Sequence, residues 1–223
     1  MCSVFKVQLP PGPAVGDITH GRKDKGRNDD SSSLPTPQPD PYTGPFDAAF
    51  HDEIMSILTP GRATLDLFYT LPPWVLEGEA IPMSYVRHQI PSMGPTAWMN
   101  LDSASHLLQL QPASSRSPVE LFPVHDVFLL SQCAHMHQIS TVVTHNALLQ
   151  MPTLLVHDMP HSQTFKLLLW WLYFNDEEDL VDQLQDMTSP QELHGFAENA
   201  RYLGVVHLGI LRAMEAAIKS KRL

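Results

Sequence analysis

Histidine is the residue type in this sequence that most invites a chemical hypothesis, because it occurs 12 times among 223 residues. His125, Cys133, His135 and His137 stand close together and are all residue types that bind zinc. On a helix, Cys133 and His137 lie one turn apart, but His135 points roughly 200° away from Cys133. No Cys-x-x-Cys pair is available to complete the site. The spacing therefore favours a buried Cys133 with exposed or hydrogen-bonded histidines over a metal centre.

A second histidine pair stands in the segment His157-Asp158-Met159-Pro160-His161, which has the spacing of the zinc protease motif HExxH with Asp in place of Glu. That motif requires both histidines on one continuous helix face. Pro160 cannot occupy the interior of such a helix, because it lacks an N–H and clashes with the preceding turn. We therefore interpret Asp158 as the N-cap of a following helix.

The motifs GxSxG, GxxxxGK[ST] and GxGxxG, which mark nucleophilic or nucleotide-dependent chemistry, do not occur in the sequence. The consecutive acids Glu177, Glu178 and Asp179 are read as a solvated acidic turn. We predict a protein that is not an enzyme and has no catalytic residue, cofactor or metal ion. The histidine content leaves one alternative, which is a metal-dependent enzyme that uses the histidine-rich segments.

Acidic residues are concentrated in the later part of the chain. Residues 1–50 carry 5 basic and 6 acidic side chains, and residues 51–223 carry 9 and 18, so the formal charges are −1 and −9. Nucleic-acid binding normally needs a basic face, so no direct nucleic-acid contact is expected. Cys2 and Cys133 make no disulfide framework, which favours a reducing compartment. Without a signal peptide or a long apolar run, we expect a protein of the nucleus or cytoplasm that does not enter a membrane.

Residues 1–44 are predicted to be a disordered tail, because they are rich in proline, serine and mixed charge and offer little to bury. Lys23, Lys25 and Arg27 fit either a nuclear-import signal or a solvated tail. Residues 45–223 are predicted to form a single α+β domain.

The first predicted helix spans Phe46–Leu58, where apolar residues recur at helical spacing. This helix either belongs to the core or docks into the groove of a partner. Prolines between residues 62 and 101 indicate short extended segments at Thr64–Tyr69, Tyr85–Ile90 and Ala97–Leu101. A turn is predicted at Glu77-Gly78.

The middle of the chain is predicted to supply the sheet. Strands at His106–Gln111 and Val119–Val124 are joined by a polar loop and form a hairpin. Asp126 is predicted to cap a helix that runs to about His137. A further strand follows at Thr153–Val156.

Helices are predicted from there to the end of the chain. A densely apolar helix spans Phe165–Phe174, and on it Trp170 and Trp171 point roughly 100° apart, so they cannot both lie at the centre of one face. Later helices are predicted at Glu177–Gln185, from a Ser189 capping box to Gly204, and at His207–Lys219. The predicted fold is a small mixed sheet of short strands with a C-terminal helical cluster.

The order of elements from residue 106 onward resembles a BTB/POZ-like domain. The segment FPVHDVFLL (122–130) is similar to the strand-to-helix join of that fold, with His125 at the end of the strand. In LLVHDMPHSQTFKLLLWWLYFND (154–176), an Asp follows a strand and a Phe opens a helix that ends in Leu-Tyr. The segment NARYLG (199–204) resembles a later helix. The resemblance leaves the oligomeric state open.

A likeness that covers more of the chain is to the clampless-type developmental regulators of basidiomycete fungi. It is carried by GRATLDLFYTLPPWVLEG (61–78), SYVRHQIPSMGPTAWMNLD (84–102), FPVHDVFLLSQCAH, LLLWWLYF and NARYLGV. It spans residues 46–223, with a family-specific part at 46–101 and the BTB/POZ-like part at 102–223.

This resemblance implies a non-enzymatic regulator of clamp formation and sexual development in the dikaryon. Such a protein acts through protein partners, with transcription regulators among those expected. The alternative that the BTB/POZ likeness implies is a ubiquitin-ligase adaptor. The structural and interaction candidates are His125, Asp126, Asp158, Phe165, Trp170, Trp171, Tyr173, Asn199 and Tyr202.

Overall fold

The computed structural model of the chain describes residues 46–112, 120–145 and 151–221. Over these ranges the chain forms helices and small sheets of short strands, so the predicted α+β class is confirmed. The predicted disordered tail, with its possible nuclear-import residues, lies outside the described residues.

Helix α1 (Ala48–Leu58) confirms the first predicted helix, although it begins two residues after Phe46. Asp47 caps it, because its carboxylate accepts a hydrogen bond from the Phe50 backbone N–H at 2.8 Å. The buried residues Phe50, Ile54 and Leu58 recur every four positions and form the inward face.

The strand predicted at Thr64–Tyr69 is wrong, because this segment lies within helix α2 (Arg62–Tyr69). Its apolar residues also fit a helical spacing, and no strand in the described part of the chain lies paired beside it. Phe68 is the residue of this helix that is buried, and the Arg87 guanidinium covers its ring at 3.5 Å from the centroid. Tertiary packing of one aromatic side chain thus decides the conformation of an ambiguous segment.

Strands β1 (Trp74–Leu76) and β2 (Glu79–Ile81) form a two-stranded antiparallel hairpin. The predicted turn at Glu77-Gly78 is confirmed and connects them. Both turn residues have positive φ, 52° at Glu77 and 90° at Gly78. Two-residue turns of this kind match the twist of the flanking strands.

The extended segments predicted at Tyr85–Ile90 and Ala97–Leu101 are also wrong. Helix α3 (Met83–Ala97) runs through both internal prolines, Pro91 and Pro95. Proline weakens a helix interior, so the stability of α3 must come from packing. Its inward face is formed by Val86, Ile90, Gly94 and Ala97.

The main sheet contains β3 (His106–Pro112), β4 (Leu121–Val124), β5 (Ser140–His145) and β6 (Pro152–Met159) in the order β4-β3-β6-β5. The predicted hairpin is confirmed, because β3 and β4 are antiparallel neighbours. The central pair, β3 and β6, is parallel, and β5 pairs with β6 in antiparallel register. The sheet is therefore mixed, as predicted.

The single helix predicted from Asp126 to about His137 is wrong, because it is divided into α4 (Asp126–Gln132) and α5 (Met136–Ile139). The break at Cys133 has a physical cause. The backbone N–H groups of Ala134 and His135 donate to the carbonyls of Gly204 and Leu203, so they are not available to a continuing helix.

The last part of the chain is helical, as predicted, with α6 (Ser162–Phe174), α7 (Glu177–Asp186), α8 (Pro190–Leu203) and α9 (Leu208–Ser220). The capping box of Ser189 and Glu192 is present at the start of α8, and Gly204 ends it in the left-handed conformation. No helix of the described ranges combines the length and apolar character needed to span a bilayer.

The core lies where α6 packs against the surrounding helices. Helix α8 contacts α6 and α1, α9 packs against α7 and α1, and α3 crosses α6. A Cβ placed on Gly94 of α3 would lie 2.1 Å from the Tyr173 carbonyl oxygen. Only glycine permits this approach of the two backbones, and it brings α3 within contact of the central helix.

Candidate interaction surface and histidine–carboxylate cluster

The predicted candidate residues fall into two polar groups and one buried aromatic group. Phe165 and Trp171 are fully buried on α6, whereas Trp170 is half-buried and stacks on Phe174 with 5.2 Å between the ring centroids. The two tryptophans therefore differ in burial, as their angular separation predicts. The Trp171 ring packs against His207 at the start of α9, with 5.2 Å between the ring centroids. These aromatic residues hold the core together.

The first polar group joins the start of α4 to the end of α6. The Tyr173 hydroxyl accepts a hydrogen bond from the His125 backbone N–H at 2.9 Å and also contacts His125 Nδ1 at 2.9 Å. The hydroxyl donates its own proton to Nδ1 when the imidazole is neutral with its proton on Nε2, and this arrangement uses the hydroxyl both as acceptor and as donor. His125 Nε2 lies 2.9 Å from the Ser103 hydroxyl. His125 is thus held between two hydroxyl groups.

Burial governs the ionisation of this pair. It raises the pKa of Tyr173 to about 12, although the His125 backbone hydrogen bond opposes the rise. Burial also lowers the pKa of His125 below its ordinary value, although the charge of Asp126 opposes this. Both residues are therefore neutral at pH 7, which suits a structural hydrogen bond.

The expectation that Asp126 is the N-cap of α4 is wrong, because His125 occupies that position. Asp126 instead exchanges two hydrogen bonds with Ser105. Its carboxylate accepts from the Ser105 hydroxyl at 2.9 Å, and its backbone N–H donates to the same hydroxyl at 2.8 Å. His106 Nδ1 lies 2.7 Å from the same carboxylate. Asp126 therefore ties the start of α4 to the start of β3.

The second polar group lies where β6 leads into α6. Asp158 is not the N-cap of α6, because it lies within β6 with φ at +50°, and His161 precedes the helix. Asp tolerates the left-handed region better than most residues, and here it lies at the irregularity in the pairing of β6 with β3, between the paired residues Val156 and Met159. The side-chain hydrogen bonds that hold this corner come from α8.

Asn199 of α8 is fully buried and clamps His161 by its backbone. Its Oδ1 accepts from the His161 N–H at 3.1 Å, and its Nδ2 donates to the His161 carbonyl at 2.6 Å. Nδ2 also lies 3.0 Å from the Thr164 hydroxyl. One turn further on, the Tyr202 hydroxyl donates to the His157 carbonyl. The sequence candidates Asn199 and Tyr202 thus fix the entry of α6.

The same corner brings together a cluster that sequence reasoning missed, formed by His161, His194 and Glu198. His161 Nε2 lies 2.6 Å from Glu198 Oε2, and His194 Nδ1 lies 3.6 Å from the same oxygen. One signal could have found part of it, because His194 and Glu198 are four residues apart on one helix and must share a face. The contribution of His161 comes from the tertiary fold.

The histidines that are close to Cys133 in the sequence do not form a cluster with it in the described residues. Cys133 is fully buried, and burial raises the pKa of its thiol well above the usual range. His135 contacts the Thr64 hydroxyl at 3.2 Å and the Tyr202 carbonyl at 3.0 Å. His125 belongs to the Tyr173 pair. A metal centre from this segment is not formed by the described residues.

A second surface feature lies in residues 67–85, which include the end of α2, the β1–β2 hairpin and the start of α3. Arg87 of α3 connects α2 with α4. Its guanidinium donates to the Phe68 carbonyl of α2 at 3.0 Å and to the Ser131 carbonyl of α4 at 2.6 Å. Four large apolar side chains of this segment are more than half exposed: Tyr69 (73%), Val75 (64%), Leu76 (56%) and Tyr85 (57%). We call these four residues the apolar surface.

Two cavities of about 190 and 200 Å³ lie in the described ranges. The first is lined by residues that include Phe68, Arg87 and His207, and the second by residues that include Thr64 and Arg201. Pockets that enclose small ligands typically have volumes of about 300–1,000 Å³. Neither cavity therefore reaches the volume that is typical of a pocket enclosing a small ligand.

Comparison with known proteins returned no match among protein families, curated proteins or solved structures.

Proposed function

We propose that this chain is a non-enzymatic regulatory protein that acts by binding another protein through the apolar surface. The observation that carries the proposal is the exposure of Tyr69, Val75, Leu76 and Tyr85 within one short segment. Single exposed apolar residues are ordinary, but several large ones close together in the chain leave apolar area that a partner can bury. Tyrosine in particular is enriched at interfaces, because it combines apolar area with a hydrogen-bonding group.

The hairpin adds a second kind of contact. In the described residues, β1 and β2 pair only with each other, so each strand has an outer edge with unpaired backbone groups. Such an edge can accept an extended segment from another protein. A partner strand beside β1 would place its side chains next to Val75 and Leu76.

A different protein is favoured over a second copy of the chain as the occupant. The formal charge of −9 over residues 51–223 opposes close approach of two identical molecules. Within this proposal, the resemblance to clampless-type regulators supplies the process, which is clamp formation and sexual development in the fungal dikaryon. Transcription regulators are the partners that this process favours.

The test is proximity labelling with the full chain in dikaryotic cells, combined with complementation of clamp formation. We expect the double variant Val75→Ser/Leu76→Ser to lose specific labelled proteins and to fail in complementation. Leu208→Ser is the matched control, because Leu208 is equally apolar and 70% exposed but lies at the start of α9. It should behave as the wild type.

The proposal fails if the double variant labels the same proteins and restores clamps as well as the control does. Concentration-dependent dimerisation that the double variant abolishes would instead assign the surface to a second copy of the chain. Sedimentation of both variants at several concentrations separates these outcomes.

A ubiquitin-ligase adaptor is the second candidate. It is favoured by the order of β3, β4 and α4 followed by β6 and α6, which is the order that prompted the BTB/POZ resemblance. Binding of purified full chain to a cullin tests it directly. Micromolar or tighter binding that Val75→Ser/Leu76→Ser does not change would favour the adaptor, and its absence would count against it.

A further inference from the structure

We infer that His161, His194 and Glu198 form a binding site for one divalent transition-metal ion of the zinc class. Two imidazoles and a carboxylate are a ligand set that suits zinc and its neighbours. The inference is independent of the proposed protein-binding function, because the ligands lie on α8 and before α6, whereas the apolar surface lies in residues 67–85.

The three ligand atoms already converge. One ring nitrogen of His161, one of His194 and an oxygen of Glu198 all lie within 4.8 Å of one another. Ligands on a tetrahedral zinc ion with bonds of about 2.0–2.1 Å are about 3.3 Å apart. The 3.6 Å contact of His194 with Glu198 Oε2 is close to that spacing. The 2.6 Å contact of His161 is a hydrogen bond, so it must lengthen when an ion enters.

The surroundings hold each ligand in position. Asn199 fixes the His161 backbone with two hydrogen bonds. The His161 ring lies directly over Gly195, where an added Cβ would be 2.8 Å from the ring. Arg201 lies 3.7 Å from Glu198 Oε1, the oxygen that does not face the histidines. The ligands therefore need only side-chain movement to bind an ion.

A histidine that binds metal through one ring nitrogen usually donates its other ring N–H to a carboxylate or carbonyl. Glu53 of α1 can accept this hydrogen bond from His194. Its Oε1 lies 3.4 Å from His194 Nε2. With an ion bound at Nδ1, the neutral ring carries its proton on Nε2, where the Glu53 carboxylate can accept it. His194 is buried, so its ring cannot readily turn away. Glu53 thus stabilises the tautomer of His194 in which Nδ1 binds the ion.

The site remains open on one side, because the His161 side chain is 41% exposed. Solvent can therefore reach the ion and complete its coordination with water. An ion at this position would join the β6–α6 corner to α8 through His161. Binding should therefore stabilise the folded protein, since the unfolded chain does not hold the three ligands together.

The test uses the purified full chain after removal of metal with a chelator. Calorimetric titration with Zn²⁺ should give a saturable site, and titration with Co²⁺ should give the visible absorption of a cobalt ion bound by nitrogen and oxygen. Zn²⁺ should also raise the Tm of the wild type. No saturable binding and no change in Tm would overturn the inference.

Variants locate the site. We expect Glu198→Gln and His161→Gln to weaken Zn²⁺ binding by at least tenfold, because each removes a ligand. Glu53→Gln should weaken it by about tenfold, the lower end of the range for an outer partner. His88→Ala is the matched control, since His88 is exposed on α3 and outside the cluster, and it should leave the affinity unchanged.

Circular dichroism in the presence of chelator checks that each variant is folded. Equal Zn²⁺ affinity in the wild type, Glu198→Gln and His161→Gln would show that other residues bind the ion and that this cluster is only a hydrogen-bonded ion pair. If a variant does not fold, its partner variant and the Tm change of the wild type decide between the two outcomes.

Discussion

The C-terminal helices and the segment of residues 67–85 use apolar side chains in opposite ways. In α6 the large apolar residues Phe165, Leu168 and Trp171 are fully shielded from solvent. In the earlier segment Tyr69 and Val75 are mostly exposed. The free energy of folding therefore comes mainly from the first region, and the second retains apolar area that a partner can bury. Substitutions should separate stability from binding along this division.

The largest expected effect comes from the tryptophan pair on α6. Trp171→Ala should lower the free energy of unfolding by about 3–5 kcal/mol, because it leaves a cavity in the core. Trp170→Ala should cost only about 1 kcal/mol, since its ring is half-buried. Denaturant unfolding of the two variants measures both values. Equal losses would mean that α6 has no outward face.

The next effect concerns the clamp between α8 and the start of α6. Asn199→Ala should lower the free energy of unfolding by about 2–3 kcal/mol, because it leaves the His161 N–H and carbonyl without their partner. Asn100→Ala is the control, since Asn100 is exposed and bonds only within its own turn. A loss no greater than that of the control would contradict the structural role of Asn199.

A smaller, pH-dependent effect is expected at His125. Burial holds its pKa in the folded protein below the ordinary value of 6.5, so the unfolded chain binds more protons in acid. The contribution of neutral His125 to the free energy of unfolding is fully present above about pH 6.5, and it declines as the pH falls below that value. His125→Gln should flatten this decline between pH 7 and pH 5, as followed by denaturant unfolding. An unchanged pH profile would count against a neutral His125.

The smallest effect on stability should come from the apolar surface. Val75→Ser/Leu76→Ser should change the free energy of unfolding by no more than about 0.5 kcal/mol, since both side chains are exposed in the folded protein. Thermal and denaturant unfolding check this value. A loss of several kcal/mol would show that the hairpin belongs to the core, and the contrast between the two regions would fail.

The same division separates correct from incorrect sequence predictions. The helices after residue 160 were predictable because their apolar spacing, caps and glycine ends all agree, as at Ser189 and Gly204. Between residues 62 and 101 the prolines suggested strands, yet α3 contains Pro91 and Pro95. Its packing against α6 through Gly94 outweighs the local preference, and no local pattern records that contact.

The residues of the candidate site also divide into those that the sequence identified and those that it did not. Asn199 and Tyr202 were identified from a resemblance, and both contact the β6–α6 corner. The role of Asp158 as a cap was wrong, because Asp158 lies within β6 and α6 starts only at Ser162. His161 and His194 could not be paired from the sequence, since β6 and α8 are brought together only by the tertiary fold.

The parallel pairing of β3 with β6 has a consequence for how the chain is made. Leu107 can meet Thr153 only after the whole intervening segment has left the ribosome, which takes a few seconds at about 5–20 residues per second. During that time the β3–β4 hairpin can form, but the inner edge of β3 has no strand beside it. The nascent protein therefore passes through a stage in which chaperone binding at β3 would protect it from aggregation.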